Sequence, residues 1–389
     1  MTLTKRFFSM QLNYKNALQN IHSQFNAQMV TLSGIKMPSS YANSGPDQEN
    51  LHTRKFCSLF DYSHKEIIKV FGKERDDFLE SICFSDLKDL EVNNSVFSAA
   101  LNSHGGILFD MIITKFIDHY SIIVDHFVIN KVLTYFNDFI SDNHNYQGVS
   151  FLLRSDQSLF SLEGPCSQEI IQTLVHFNIN TINFMNSVII ENKQIDSEMM
   201  LLRCGCSGED GFIISLPFEK AEKLATIILN ECLEEEKPVA KLAGMLALES
   251  LRVEAGICQY SKELDEMISP FEAPLKLFLG KRRMKEGGFV GYNIIKNQLV
   301  NGVCLKRAGF VSGREFFPEG SQIVVNVNEY IGKVTSSVYS PNLKDYIGMG
   351  YFKIPFNKKN QEIKGKIGEK IVNFTIVSCP FIERRIYNT

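Results

Sequence analysis

The sequence predicts an α+β fold built on antiparallel sheet and followed by a separate all-β barrel, and three observations carry that reading. Strand-like runs in the first 140 residues follow one another with helices between some of them, a β-α-β-β order that suits antiparallel rather than doubly wound sheet. A comparable strand–helix–strand pattern returns from Ser158, which suggests two related α+β halves without a residue-level repeat. From about Gly287 the texture changes to short strands and Gly/Pro/Asn turns without helix patterns, as expected of a barrel or jelly-roll-like domain.

In order, residues 17–28 carry Leu18, Ile21 and Phe25 at helical spacing, and residues 34–50, with two Pro and two Gly, read as an extended loop. Glu66–Phe71 is a strand broken by Gly72. Glu74–Cys83 is a helix with acids in its first turns, which complement the helix dipole. Ser95–Leu101, Ile107–Lys115 and Tyr120–Val124 are strands, and Asn130–Phe139 is a helix. The second half predicts strands at Ser158–Leu162, Ser187–Glu191, Glu198–Arg203 and Gly211–Leu216, with helices at Ser167–Asn178, Glu219–Glu231 and Leu242–Ala255. In the last part the strands are Gly302–Phe310, Gln322–Val327, Gly332–Ser337, Ile347–Phe352 and Ile371–Val377, and the basic stretch Lys358–Lys370 is a solvated hairpin.

Composition narrows the function classes. A chain of 389 residues buries a large core and divides into two or three domains. Its 44% hydrophobic and 22% charged content is ordinary, and a net charge of −3 gives no sign of a nucleic-acid binder. No apolar run is long enough to span a membrane. Nine scattered cysteines, with Cys204 and Cys206 as the closest pair, form no metal site and read as reduced thiols. Residues 1–46 contain no Asp or Glu, and Lys5, Arg6 and Lys15 are basic, which resembles an organellar presequence over residues 1–16.

The stretch expected to hold the working centre is Asn102–Asp110. Gly105-Gly106 permits a tight turn or close approach to a ligand. The strand that follows is apolar except for Asp110, and a carboxylate there is costly unless it is hydrogen-bonded. Asp110 either caps a turn, pairs with a cation, or works. Asp61, Ser63 and His64 form a second polar cluster, read as a hydrogen-bonded turn because no nucleophile elbow accompanies it. Cys204–Gly211 is a tight turn in which Glu209 and Asp210 face either solvent or a ligand.

Several motifs in order resemble the aminomethyltransferase family, the T-protein of the glycine cleavage system. They are LHTRKFCSLFDYSH (Leu51–His64), GGILFDMII (Gly105–Ile113), SLFSLEGP (Ser158–Pro165), GCSGEDGF (Gly205–Phe212), SLRVEAGICQY (Ser250–Tyr260), LDEMISPFE (Leu264–Glu272), GKRRMKEGGFVG (Gly280–Gly291) and SPNLKDYIGMG, which ends at Gly350. The resemblance runs from about Ala17 to the carboxyl end. It implies three domains: two ferredoxin-like α+β units around a central folate site over residues 17–286, and a jelly-roll-like barrel over residues 287–389. It also implies a reaction. The methylene of an aminomethyl group on a lipoylated carrier, the H-protein, passes to tetrahydrofolate as co-substrate, with release of ammonia, in the mitochondrial matrix. Asp110 matches the family's catalytic aspartate and also touches folate, Tyr387 matches one aromatic of a terminal pair, and Glu209 and Arg252 are candidate folate-binding substitutes. A monomer is the expected state.

The chain departs from the family at several positions. Phe109 replaces the first acid of an Asp-Asp pair, Ile213 a pterin-binding glutamate, Leu248 an arginine and Ile386 an aromatic, while the family's Val-Asn-Ala reads Val124-Asp125-His126. Each lost charge-assisted hydrogen bond would cost on the order of 1.5–3 kcal/mol. The alternative to an enzyme is therefore a non-catalytic T-protein-like module serving as a structural or partner-binding subunit. A relative using folate in another one-carbon or iron–sulfur role is ranked last, because its cysteine-containing signature is missing.

Overall fold

The amino-terminal part of the chain is spent on elements that brace two sheets. A computed structural model describes residues 16–230, 240–326 and 329–387. The expected presequence falls outside the described residues, Asn16 excepted. After α1 (Gln19–Gln24) come the hairpin β1 (Ala27–Leu32) and β2 (Ile35–Tyr41), then α2 (Pro46–Lys55) and β3 (Cys57–Asp61). The expected loop over residues 34–50 is thus a strand and the start of a helix. Both prolines are compatible with that structure: Pro38 sits beside a bulge in a two-stranded edge pair, and Pro46 occupies the first helical turn, where its missing N–H costs nothing.

The first sheet follows. Its elements are β4 (Lys65–Phe71), α3 (Arg75–Ile82), β5 (Ser95–Leu101), β6 (Ile107–Lys115), β7 (Tyr120–Asp125), α4 (Ile129–Asp142) and β8 (Ser150–Leu153), in sheet order β5-β6-β7-β4-β8, every pair antiparallel. The second sheet takes β9 (Gln157–Glu163), α5 (Ser167–Leu174), β10 (Ser187–Asn192), β11 (Ser197–Arg203), β12 (Gly211–Pro217), α6 (Phe218–Asn230) and β13 (Ala240–Ala243). Its order is β10-β11-β12-β9-β3-β13. Strand β3 precedes the first sheet in sequence yet pairs with β9 and, in parallel, with β13, so the two α+β units interlock.

The expected helix 242–255 divides at Gly244, where a Cβ would lie 2.4 Å from the Ser39 backbone, and helix α7 (Met245–Glu254) starts only after that contact. After α8 (Lys281–Glu286) comes α9 (Tyr292–Asn301), in a region where no helix is expected from sequence. Only Ile295 of α9 is buried while Ile294, Leu299 and Val300 are exposed, so its apolar residues do not mark one face. The barrel comprises β14 (Leu305–Val311), β15 (Gln322–Asn326), β16 (Glu329–Ser340), β17 (Asp345–Lys353), β18 (Glu362–Ile367) and β19 (Lys370–Val377), closed in the order β14-β17-β16-β15-β18-β19. The basic stretch Lys358–Lys370 is indeed part of a hairpin, and its strand β18 joins β15 to β19. The expected α+β class with a carboxyl-terminal barrel holds. The short β1, β8 and β13 escape sequence reading: β8 and β13 have only four residues each, and the burial of β1 lacks a two-residue alternation.

Phenylalanine supplies the core. Phe78 of α3 packs edge-on to Phe136 of α4 at 5.4 Å between centroids, beneath the first sheet. A second core lies under α5 and α6, and a third fills the barrel around Phe310, Phe317 and Phe374. A smaller apolar cluster fastens the two sheets face to face: Ile67 and Ile123 from the first, Phe60, Leu159, Leu202 and Ile213 from the second, with Leu248 and Leu251 from α7.

Candidate functional site

At one end of the first sheet, three adjacent strands line up three charged side chains. Lys65 of β4 pairs with Asp125 of β7 in the ladder, and their side chains form an ion pair, Nζ to Oδ1 at 2.7 Å. Strands β6 and β7 run in a register that sets Ile112 opposite Ile123, and two residues further along it brings Asp110 beside Asp125. Asp110 is half-buried, with only Ala99 opposite it on β5.

Burial, then the Asp125 charge, push the Asp110 carboxyl up to about 7, with Lys65 and the Tyr260 backbone N–H partly offsetting them. Burial acts against the Lys65 charge, but Asp125 and Asp110 outweigh it and hold the ammonium above its ordinary range. Beside this row, burial and the Lys65 charge push His64 down to about 4, so its imidazole is neutral at pH 7. The arrangement suits proton handling near neutrality: burial and the Asp125 charge raise Asp110 toward physiological pH, while Lys65 stays charged and His64 neutral.

The turn that leads into this strand is locked by protein, not held open. Gly105 has φ +80°, and a Cβ on Gly106 would lie 1.8 Å from the Glu266 carbonyl oxygen. The Asn102 amide donates to that same carbonyl, and its oxygen accepts from the backbone N–H groups of His104 and Gly106. The glycines therefore serve a close approach between two backbone segments, which fixes where Asp110 emerges.

Three of the departures from the family pattern, Phe109, Ile213 and Leu248, fall in two places. Phe109 alternates to the opposite face of β6 from Asp110 and is buried against Tyr135 and Phe136, so its side chain belongs to the core under the sheet. Ile213 and Leu248 sit together in the apolar cluster between the sheets. At the end of β9 on the second sheet, Glu163 is fully engaged: it accepts from Tyr62 and Ser161 at 2.7 Å each and from the Ser207 backbone N–H at 2.7 Å.

The other sequence-derived candidates belong to separate networks. Glu209 accepts from Arg54 at 2.7 Å and Arg385 at 2.8 Å, and Arg54 also reaches Glu254 at 2.8 Å. Arg252 forks onto Glu249 and bonds Glu263 at 2.7 Å and Ser336 at 2.9 Å, tying α7 to the barrel. The Tyr387 ring lies under the Arg203 guanidinium at 3.8 Å, and its hydroxyl donates to the Asn180 carbonyl at 3.3 Å. Only Asp110, of these four, lies in the Lys65–Asp125 row. The Asp61 cluster is the expected turn: its carboxylate accepts from the Ser63 N–H and hydroxyl and from His22. Lys65 and Asp125 escape sequence reading as a unit, although the Asp125 substitution marks the place, because only strand register joins them to Asp110.

Two interlocked α+β units around a carboxylate-bearing row, closed by a six-stranded barrel, define a T-protein-type fold. Residues 18–283 match the model of the GCVT N-terminal domain, and residues 306–383 match that of the glycine cleavage T-protein C-terminal barrel domain. A mitochondrial aminomethyltransferase from Dictyostelium discoideum is 36% identical over 385 residues, covering 97% of this chain and 95% of that protein. The Homo sapiens mitochondrial aminomethyltransferase is 32% identical, covering 96% and 91%. The crystal structure of glycine cleavage system aminomethyltransferase T from Bartonella henselae superposes with a TM-score of 0.85 at 26% identity, covering 96% of this chain and 99% of that one. The chain belongs to the glycine cleavage T-protein family, an enzyme family of aminomethyltransferases.

Proposed function

We propose that the chain transfers the methylene of an aminomethyl group, carried on the lipoyl sulfur of an H-protein, to tetrahydrofolate, releasing ammonia and leaving the dihydrolipoyl carrier, in the mitochondrial matrix. The observation that carries this reading is Asp110, an acid poised near neutrality and open on one side, at the position that matches the family's catalytic aspartate. Asp110 is half-buried beside an ion pair that does not include it, so it can accept from a ligand that brings N–H donors. Tetrahydrofolate supplies such donors on its ring edge and the amine that accepts the methylene. Asp110 stabilises positive charge at the transferring carbon when ionised and holds or releases a proton as ammonia leaves. The Tyr260 N–H and the locked Gly105-Gly106 turn hold that carboxyl in place.

Relatives that keep the whole chain length and are named as enzymes favour this over a structural-subunit role. The folate site over residues 17–286 and the separate barrel over residues 287–389 complete the proposed division of labour. Calorimetric titration with tetrahydrofolate should show saturable binding, and no binding at millimolar ligand would end the proposal. Asp110→Asn is expected to keep folate binding and to slow ammonia release from aminomethyl-loaded carrier by about a hundredfold to ten-thousandfold.

A further inference from the structure

Resting on the reading that Asp110 is the acting acid, we propose that Lys65 and Asp125 are positioning residues, a neutral pair that keeps Lys65 from closing onto Asp110 and so leaves Asp110 as the working charge of the row.

The geometry supplies the argument. Lys65, Asp125 and Asp110 come from three neighbouring strands at one end of the sheet, so the ammonium has two carboxylates within its field but one hydrogen-bonded partner, Asp125 Oδ1 at 2.7 Å. Ionised, the row holds two carboxylates and one ammonium, and the pair contributes no net charge. A lone lysine beside Asp110 would bind it, because opposite charges a few ångströms apart attract strongly in a half-buried site that water screens only in part. A lysine-bound Asp110 would be a weaker acceptor and would have its charge already spent. Asp125 diverts that attraction. The remaining groups around the row do not replace it. Burial and the Lys65 charge keep His64 neutral, and His126 is bound to Glu66 at 2.8 Å. Tyr260 offers Asp110 only its backbone N–H, β5 offers Ala99, and Cys206 on the facing sheet is kept protonated, as burial and Glu163 raise its thiol. The chain has Asp125 where the family motif has Asn, in the same place where it carries a lysine across the ladder.

Two neutralising substitutions and their combination test this. In Asp125→Asn the lysine turns to Asp110, so the Asp110 carboxyl, followed by carbon NMR in the free protein, should titrate lower by about tenfold in proton affinity. Ammonia release should fall by a similar factor. In Lys65→Met nothing offsets Asp125, so the Asp110 titration should move the other way and the activity profile should shift to higher pH. Lys65→Met/Asp125→Asn removes both charges and should return both readouts close to the original protein. A double variant as impaired as Asp125→Asn alone would overturn the proposal, since it would mean that Asp125 acts through its own contact with the ligand. So would an Asp110 titration that moves in the same direction in both single variants. Opposite titration shifts in a protein that releases no ammonia would overturn the proposed reaction while supporting the pair.

Discussion

Asp110 stands on β6 of the first sheet and Glu209 in the turn before β12 of the second, and the surroundings of these two acids differ in one decisive way. Around Glu209 the charges balance: Glu209 and Glu254 meet Arg54 and Arg385, and Ser340 and Asn342 supply further donors to Glu254. Around Asp110 two carboxylates share one lysine, which is already committed to Asp125. A balanced network fixes the position of backbone segments that are distant in sequence. An unbalanced one stores proton affinity near pH 7. On the proposed reading, the difference separates an acid that ties distant segments together from an acid left free for chemistry.

The sharpest way to break the contrast is at Arg54. Arg54→Ala leaves Glu209 and Glu254 buried with fewer partners and is expected to destabilise the protein by about 3–5 kcal/mol, measured by denaturant unfolding. Equal stability would mean that the hub is as uncompensated as the row. A smaller effect of opposite sign is expected at Asp110. Its folded carboxyl binds a proton more tightly than the unfolded one, so the stability it contributes is full below 3.8 and is lost as pH rises toward about 7. Asp110→Asn should therefore be more stable than the original protein at pH 8, on the order of 1–2 kcal/mol after allowance for partial exposure, with the advantage vanishing at pH 4. An Asn variant less stable at every pH would show that Asp110 is a structural acid like Glu209. The smallest effect is expected at Tyr387. Tyr387→Phe loses one long hydrogen bond to Asn180 but keeps the ring under Arg203, so stability should fall by about 1 kcal/mol or less. A large loss of folate binding in that variant would instead place Tyr387 at the site.

Much of this was legible in the chain because it depends on local pattern. Alternation and turn residues mark β4 to β7, the β9–β12 strands and the barrel strands, and the apolar strand broken by Asp110 marks the candidate acid. Elements whose support is non-local were not legible. Strand β2 and helix α2 read as loop because each carries a proline and is preceded by a glycine, Gly34 or Gly45, and α9 carries no apolar face. Glu209 reads first as an acid of a solvated turn and only second as a ligand contact, until Arg54, 155 residues away in sequence, is seen to hold it in a buried network.

By itself the sequence determined the α+β class, the terminal barrel, the family resemblance and the place of Asp110 as an acid inside an apolar strand, since periodicity, turn chemistry and short motifs are properties of neighbouring residues. Only the tertiary structure decided what each acid does. Strand register across β4, β7 and β6 brings Lys65, Asp125 and Asp110 together, and the fold sends Phe109 to the core on the other face. Proton affinity follows from burial and from charges a few ångströms away, and those neighbours come from strands that are separated along the chain and adjacent only after folding.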